Sequence, residues 1–411
     1  MPRRSLVRAA LCGGVFLVLF LALLARLYAI QILGVDARAD QRFRQGTGTF
    51  TLVGPGGHIL DRGGQVLALS VPVESVAANP SLFPDAVVPQ AARRLAAALG
   101  VPEAEIRDRL GRHDKKFVFL KRKLEIREAE AARALLEDPL FRPDPREGPR
   151  LIFRSEFARR YPHGPCLGNV LGFQSEDPTA HEGLERMLAQ HLAGREAVVF
   201  ARKDGRGRPL DPPTVDLSPA RAELTIDVLF QKVVEEELDA ACAQFRPKWA
   251  VAVALDPRSG EVLAVANRPA FDPSHPAQAP AGARLNRAVA LPYEPGSTLK
   301  PFTAAWALEL GLARPETRYD CENGLWKHGA RVLHDHDPYG KLTLAEVIIK
   351  SSNIGAAKIG ALTLGRERTH EALVRFGFGA RTGVDLPAED EGRLFPLRRW
   401  NTFSDTSVPM G

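Results

Sequence analysis

A chain of 411 residues with 45% hydrophobic and 25% charged residues has the composition of a folded protein and is long enough for two sizeable domains. Its net charge of +6 comes largely from dispersed arginines, without a long block of like charge, which argues against a nucleic-acid-binding platform. The cysteines at 12, 166, 242 and 321 are widely separated and form no CxxC motif, so they indicate no disulfide framework and leave the redox compartment open.

The N-terminus carries a long apolar run. Residues 9–25 contain no charge, and the run continues past Arg26 to Leu33, which is long enough to cross a bilayer if Arg26 extends towards the interface. Arginines precede the run and favour a cytoplasmic N-terminus, although further arginines follow it. No small-x-small cleavage site follows, so an uncleaved anchor is favoured over a cleaved signal peptide. We predict a cytoplasmic tail at 1–8 and a transmembrane anchor, in contact with membrane lipid, at 9–33.

The rest of the chain divides around a linker. Apolar stretches around an Asp-Arg-Gly-Gly turn predict a β-hairpin at 58–70, and amphipathic patterns predict helices within 85–136. Residues 209–222 are rich in Pro and Asp and are typical of a linker. A second domain then begins at 223, with a second hairpin predicted at 249–266.

Ser297 and Lys300 lie three residues apart after a Pro-Gly pair. The run that follows, to Leu310, predicts a helix with Ser297 or Thr298 as its N-cap, and side chains three apart share one helix face. A serine hydroxyl is a poor nucleophile unless a neighbour takes its proton, and lysine can do so only if its pKa is depressed. On this pattern alone, a helix cap beside a solvated lysine remains the more frequent interpretation.

A second motif, Ser351-Ser352-Asn353, follows about 50 residues later. It lies between a predicted helix that opens with a Thr343–Glu346 capping box and a helix of small residues. The alternative interpretation is a plain junction between two helices.

Together, the sequences EPGSTLKPFT and KSSNIGAAKIG resemble the first two catalytic motifs of the transpeptidase domain of penicillin-binding proteins. The blocks RRYPHG, LGF, EGLE and RKDGRGR are similar, in this order, to the pedestal of class B members, which lacks glycosyltransferase activity. By this resemblance Arg159, Arg160, Glu182 and Glu185 are structural or inter-domain residues.

The resemblance implies a membrane-anchored α+β protein. Its parts would be an N-terminal transmembrane helix, an elongated α+β pedestal at 34–208, and an incomplete penicillin-binding, serine-transpeptidase-like α/β domain at 223–411. The implied protein is a penicillin-binding peptidoglycan D,D-transpeptidase of the bacterial inner membrane, most similar to the cell-division (septal) type. Its N-terminus would be cytoplasmic and the bulk of the chain extracytoplasmic.

The resemblance also implies roles for four residues. Ser297 would attack the penultimate D-alanine carbonyl of a peptidoglycan stem peptide and form an acyl-enzyme, and β-lactams would acylate it by mimicking that substrate. Lys300 is the candidate base, Ser351 would relay a proton to the leaving group, and Asn353 would orient Lys300 and the substrate amide. Expected partners are a membrane-embedded glycan polymerase and other division proteins, with no nucleic acid, metal or organic cofactor.

The family's third motif, Lys-Ser-Gly or Lys-Thr-Gly, does not occur in the sequence. Residues 381–383 are Arg-Thr-Gly and match a separate family block. In the family the third motif contributes to the substrate carboxylate site and the oxyanion hole, so we expect this chain to be the first part of a longer protein. Two alternatives stay open: a membrane-anchored scaffold without catalysis, and a β-lactam sensor or hydrolase.

The segment His334-Asp335-His336-Asp337 has side chains that suit a divalent ion. It precedes Pro338-Tyr339-Gly340 and has the character of a loop, and the resemblance assigns no metal to it. We therefore disfavour a metal site here.

Overall fold

The computed structural model describes residues 3–29, 46–142, 147–175, 182–204, 210 and 214–411. Residues 30–33 of the predicted anchor, His181 and 205–208 of the pedestal blocks, and part of the predicted linker lie outside these ranges.

The described residues form α-helices and β-strands in mixed order, as an α+β fold requires. The helices are α1 Arg3–Tyr28, α2 Val88–Leu99, α3 Glu103–Leu110, α4 Ile126–Ala134, α5 Gly168–Leu171, α6 Gly183–Met187, α7 Val228–Phe245, α8 Arg287–Ala290, α9 Lys300–Glu309, α10 Leu344–Ile349, α11 Asn353–Lys358, α12 Gly365–Arg375 and α13 Thr402–Ser407. The strands are β1 Thr47–Val53, β2 His58–Leu60, β3 Val66–Ala78, β4 Val118–Lys121, β5 Leu151–Arg160, β6 Glu196–Arg202, β7 Arg221–Glu223, β8 Ala250–Leu255, β9 Val262–Arg268, β10 Arg318–Asp320, β11 Leu325–His328, β12 Arg331–His334 and β13 Lys341–Thr343.

The chain divides into two compact units. The first comprises Met1–His58, Leu69–Ala158 and His191–Ala222, and the second comprises Ile59–Ala68, Arg159–Gln190 and Glu223–Gly411. The second unit therefore includes two segments from the sequence that was predicted to be pedestal.

Helix α1 contains an exposed apolar stretch, Leu11–Tyr28. These 18 residues span about 27 Å at 1.5 Å per residue, close to the hydrocarbon thickness of a bilayer. The helix is therefore long and apolar enough to cross a membrane.

The rest of the first unit is built from helices against strands. The amphipathic patterns within 85–136 form α2, α3 and α4, as predicted, and their apolar faces enclose a core with β3, β4 and β5. Strand β3 pairs antiparallel with β4 through Val76–Lys121 and Ala78–Val118. Strand β1 pairs antiparallel with β6 along its whole length, from Thr47–Arg202 to Val53–Glu196.

The longest segment of the second unit begins with α7 and the β8–β9 hairpin. The hairpin spans the residues predicted for it. Asp227 caps α7 by accepting from two backbone N–H groups, and buried Gln231 bonds both the N–H and the carbonyl of Val265. The bonds of Gln231 fix the helix against β9. Several apolar side chains of α7 and β8 are exposed, among them Leu229 and Val253.

A separate helical core carries the two motifs. Helices α9, α10, α11 and α12 pack around one apolar cluster that includes Trp306, Val347 and Ile354. The antiparallel pairs β10–β13 and β11–β12 contribute Tyr319 and Leu333 to the same cluster. Because the elements share one core, the ends of α9, α10, α11 and β12 are held in fixed relation to one another.

Candidate active site

Ser297 lies in a 3₁₀ turn, Gly296–Leu299, which leads directly into α9. The predicted N-cap is wrong, because neither the turn nor α9 has a side-chain cap, and the Thr298 hydroxyl instead donates to the Pro295 carbonyl at 2.6 Å. Because the 3₁₀ turn continues directly into α9, the Ser297 side chain caps neither the turn nor the helix. Ser297 itself is an exposed residue.

Lys300 is the first residue of α9, and its side chain is buried, with the residue only 2% exposed. Its Nζ atom donates to the Ser351 carbonyl at 2.6 Å, to Ser351 Oγ at 3.1 Å and to Asn353 Oδ1 at 2.7 Å. Three of the four predicted site residues thus meet at one nitrogen atom. The fourth is joined through the backbone, since the Lys300 N–H donates to the Ser297 carbonyl.

Burial lowers the pKa of the Lys300 amine, because desolvation disfavours its charged form. The Asp335 carboxylate partly opposes this shift. The lowered pKa makes a neutral amine accessible at lower pH than for a solvated lysine.

The contacts of Lys300 suit both protonation states. A protonated amine has three N–H donors for its three acceptors. The neutral amine retains two donors for the two carbonyl oxygens, of Ser351 and Asn353, which can only accept. Its lone pair then needs a hydroxyl donor, which the side chain of Ser351, 3.1 Å from Nζ, can supply. The site is chemically able to move a proton between a hydroxyl and this amine.

Ser351 occupies the junction between α10 and α11 in a left-handed backbone conformation, with φ of +53°. A non-glycine residue pays about 1 kcal/mol or more for this conformation, and such residues are concentrated at functional sites. Hydrogen bonds hold the turn on both sides, from the Ser351 N–H to Ile348 and from the Ser352 N–H to Val347. The turn directs both oxygens of Ser351 towards Lys300.

The flanking caps follow from the local sequence. Thr343 and Glu346 form the predicted reciprocal capping box at the start of α10. Ser352 caps α11 by accepting from the Gly355 N–H at 2.9 Å, and the residue is 1% exposed. In the second motif the middle serine is therefore structural, while Ser351 and Asn353 face the lysine.

His334 and Asp335 contact the second motif, which the sequence interpretation did not predict. The His334 carbonyl accepts from Asn353 Nδ2 at 3.1 Å, and the Asp335 carboxylate accepts from Ser352 Oγ and from the Ile354 N–H. Both carboxylate oxygens of Asp335 are thus used by the junction. In the described ranges, no group of three or more His, Cys, Asp or Glu side chains is arranged to hold a metal ion.

Residues 408–411 pack against the other side of the serine turn. Thr303 Oγ1, on α9, donates to the Pro409 carbonyl at 3.2 Å. Gly411 lies so close to the Gly296 carbonyl that an added Cβ would be 1.9 Å from its oxygen, and its φ is +98°. No local sequence pattern indicates this approach, because it joins segments that are distant in the chain.

The acidic and basic residues taken from the pedestal blocks lie elsewhere in the second unit. Arg159 Nε and Glu185 Oε1 form a buried ion pair at 2.7 Å, with side chains 4% and 2% exposed. Glu182 pairs with Arg284 at 3.3 Å on a more exposed surface. Ion pairs of this kind are typical of residues with a structural role, as the resemblance implied for Arg159, Glu182 and Glu185.

Two family models match the chain. The penicillin-binding protein transpeptidase domain covers residues 250–411, and the penicillin-binding protein dimerisation domain covers residues 51–218. Among solved structures, the penicillin-binding protein in a PBP2–MreC complex from Helicobacter pylori has a TM-score of 0.70 at 19% identity, covering 89% of this chain and 73% of that one. Penicillin-binding protein 2X from Streptococcus thermophilus gives 0.64 at 21% identity, covering 89% and 56%. These structures share the fold.

Curated relatives match nearly the whole chain. It is 33% identical over 403 residues to the probable peptidoglycan D,D-transpeptidase PenA of Neisseria meningitidis, covering 96% of this chain and 66% of that protein. It is 30% identical over 409 residues to the peptidoglycan D,D-transpeptidase FtsI of Escherichia coli, covering 98% and 67%. The chain thus spans about two thirds of the length of these relatives, and the match to FtsI is consistent with the cell-division type. The chain belongs to the class B penicillin-binding proteins.

Proposed function

We propose that this chain carries the acylating centre of a peptidoglycan D,D-transpeptidase that cross-links stem peptides during septal wall synthesis. The observation that carries the proposal is the buried Lys300 amine, whose hydrogen-bond partners are Ser351 and Asn353 of the second motif. The names of the curated relatives support the reaction class.

In the first half of the reaction, Ser297 Oγ attacks the carbonyl carbon of the penultimate D-alanine while its proton passes to neutral Lys300. Collapse of the tetrahedral intermediate breaks the peptide C–N bond. The departing amine of the terminal D-alanine takes a proton from Lys300 through Ser351 Oγ, which lies 3.1 Å from Nζ. Asn353 orients Lys300 through its Oδ1.

In the second half, an amino group from a neighbouring stem attacks the acyl carbon and loses a proton to the lysine. The new amide forms as the bond to Ser297 Oγ breaks, and Ser297 recovers its proton. A β-lactam follows the first half only, because its opened ring remains attached to the acyl group and blocks the second attack.

The oxyanion of the tetrahedral intermediate needs backbone donors. The Ser297 N–H lies at the start of the 3₁₀ turn, where the helix itself offers no acceptor, and it is our candidate for one donor. By the family resemblance, the other donor would come from a Lys-Ser-Gly or Lys-Thr-Gly motif, which the 411-residue sequence does not contain.

We further propose that α1 anchors the protein in the inner membrane with its N-terminus in the cytoplasm and the catalytic part outside. The long apolar helix and the arginines before it support this orientation. A membrane-embedded glycan polymerase and other division proteins are the proposed partners. The solved complex of a Helicobacter pylori relative with MreC supports association with other proteins in general.

The test is covalent labelling by a fluorescent penicillin, applied to this chain and to the protein extended through the third motif. We expect label on the wild type and none on Ser297→Ala. Label on the extended protein alone would mean that the third motif is needed for acylation. Rapid release of the label by hydrolysis would favour a β-lactam hydrolase. No label on either folded protein would refute the transpeptidase and leave the scaffold.

A further inference from the structure

The segment 402–410 packs against α9, into which the serine turn leads. It consists of α13 and a following 3₁₀ turn. The Pro409 carbonyl accepts from Thr303 Oγ1 on α9 at 3.2 Å, and both residues are buried. A Cβ added at Gly360 would lie 2.0 Å from Pro409 Cγ, so the proline ring fills the space that a side chain would need there. The position of Pro409 is thus coupled to that of α9.

Arg331, at the start of β12, holds the helix of this segment. Its Nη1 atom donates to the Phe403 carbonyl at 3.1 Å, to Thr406 Oγ1 at 2.7 Å and to Ser407 Oγ at 2.9 Å. Its guanidinium also lies over the Phe403 ring, with Cζ 4.0 Å from the ring centroid. All three acceptors are neutral oxygen atoms, so the contact depends on the reach and planar shape of the arginine. Thr406 is fully buried, and water cannot replace its lost donor.

A second arginine holds the same helix from another side. Arg366, on α12, forms two hydrogen bonds of 2.7 Å with the Asp405 carboxylate. One arginine therefore attaches α13 to α12 and the other attaches it to β12. Arg331 bonds Thr406 and Ser407, the last two residues of α13, so it is the arginine whose contacts lead directly into the turn that contains Pro409.

Strand β12 joins this segment to the second motif. Arg331 is its first residue and His334 its last, and the His334 carbonyl accepts from Asn353 Nδ2 at 3.1 Å. The two ends are about 10 Å apart at the rise of an extended strand. Leu333 is buried in the helical core, which fixes the strand between its two contacts. One short strand thus bonds both the segment packed on α9 and the residue that contacts Lys300.

We propose that Arg331 is a positioning residue for acylation, which holds the end of α13 so that Pro409 keeps α9 and the serine turn in place relative to the second motif. The proposal rests on the proposed function, because it assigns Arg331 to the step in which Ser297 is acylated. Arg331 acts through the segment 402–410, and its loss lets the serine turn shift relative to the Lys300 amine. A misplacement of about 1 Å can slow a reaction by about 100-fold.

The test compares Arg331→Ala with Arg331→Lys in the form of the protein that takes up the fluorescent penicillin, solubilised in detergent. Alanine removes the donor and the contact with the Phe403 ring. Lysine keeps a charged donor for the hydroxyls but loses the planar guanidinium. Arg268→Ala is the matched control, since the Arg268 side chain is 14% exposed and bonds Asp239 of α7 at 2.7 Å. Its loss loosens β9 from α7 and leaves the segment 402–410 intact.

The measurement is the acylation of Ser297 at rising penicillin concentrations, which gives the maximal rate, the half-saturating concentration and the final labelled fraction. We expect Arg331→Ala to lower the maximal rate by about tenfold or more, with the half-saturating concentration within about threefold and the labelled fraction unchanged. Arg331→Lys should lower the rate by about threefold, and Arg268→Ala should stay within about twofold of the wild type. A protein that is only destabilised would label a smaller fraction at the wild-type rate.

Thr303→Val tests whether the segment transmits the effect. Valine keeps the shape of threonine and removes the bond to the Pro409 carbonyl. Substitutions at independent sites have additive effects on the free energy, whereas residues that act through one shared element do not. We therefore expect the double variant Arg331→Ala/Thr303→Val to be slowed by less than the product of the two single effects.

A wild-type maximal rate in Arg331→Ala would overturn the proposal. An equally slow Arg268→Ala would do the same, as would effects of Arg331→Ala and Thr303→Val that multiply. If Arg331→Ala does not fold, Arg331→Lys decides: a lowered maximal rate at full labelling supports the role, and a wild-type rate overturns it. Failure of the wild type to label in either form would instead refute the proposed function itself.

Discussion

Replacement of Lys300 by methionine tests the centre of the proposed mechanism. Methionine has a similar length and can occupy the buried space of the lysine side chain, but it carries no charge and cannot take a proton. Loss of a positioned general base typically slows a reaction by 10²–10⁴-fold, which is about 2.7–5.4 kcal/mol in the activation barrier. We therefore expect acylation by a fluorescent penicillin to slow by at least about 100-fold.

The same substitution has a cost in stability that follows from the contacts. Two carbonyl oxygens, of Ser351 and Asn353, lose their donor, at about 1–3 kcal/mol for each that stays buried and unsatisfied. A drop in melting temperature is therefore expected beside the drop in rate, and a control must separate the two.

Lys358→Met is the matched control. Lys358 is also a buried lysine, 8% exposed, and its Nζ donates to the Asp320 carbonyl at 2.7 Å and pairs with Glu322. It lies at the end of α11, away from the contacts of Lys300. We expect a comparable fall in melting temperature with acylation within about threefold of the wild type, because no base is removed. The reasoning is refuted if Lys300→Met acylates within about tenfold of the wild type, or if Lys358→Met is equally slow.

The pH dependence of stability gives an independent check. The pKa of Lys300 in the folded protein lies below its unfolded value, so the unfolded chain binds more protons in the window between them. This contribution makes the wild type more stable as pH rises through that window, up to the ordinary lysine pKa of about 10.4. The melting temperature of the wild type should therefore rise relative to that of Lys300→Met over this range, and an opposite trend would contradict the lowered pKa.

Three further substitutions test the surrounding structure. Gly355→Ala would place a Cβ 2.4 Å from Val347 Cγ2, so overpacking between α10 and α11 should cost about 1–3 kcal/mol and slow acylation; an unchanged melting temperature would contradict this. Glu185→Gln removes the anion from buried Arg159 and should cost about 3–5 kcal/mol by calorimetry, with partial recovery when Arg159→Met is added. Thr343→Ala removes a helix cap and should cost about 1 kcal/mol by thermal melting, with acylation within about threefold; a larger loss of acylation would show that the cap affects the site.

Local patterns predicted the elements that carry the site. The capping box of Thr343 and Glu346 is formed within four residues, so its sequence signature is sufficient. The same holds for the hairpin of β8 and β9. The resemblance of the two motifs to the family also selected Lys300, Ser351 and Asn353, which the structure brings together, while their catalytic roles remain predictions.

Local sequence patterns did not predict two features of the site, the turn at Ser297 and the contacts of Asp335. The 3₁₀ turn at Ser297 resembles a capped helix start in sequence, but no side chain caps it, and the Thr298 hydroxyl donates to the Pro295 carbonyl instead. Asp335 lies in a segment whose alternating His and Asp residues suggested a loop or a metal site. Its use by Ser352 and Ile354 depends on how β12 packs against α11, a contact between segments 17–19 residues apart.

The geometry of Lys300 explains why the Ser297-x-x-Lys300 spacing alone does not make the lysine a base. Side chains on a helix lean towards its N-terminus, so a lysine at the first position of α9 projects back over the preceding turn, where Ser297 lies. The same direction would also carry an unpartnered lysine into solvent, where its amine stays protonated at neutral pH. The Ser351–Asn353 junction covers the amine and supplies acceptors, so burial lowers its pKa without leaving its N–H groups unsatisfied. Spacing therefore selects the face of the helix, whereas the distant junction determines whether the lysine can act as a base.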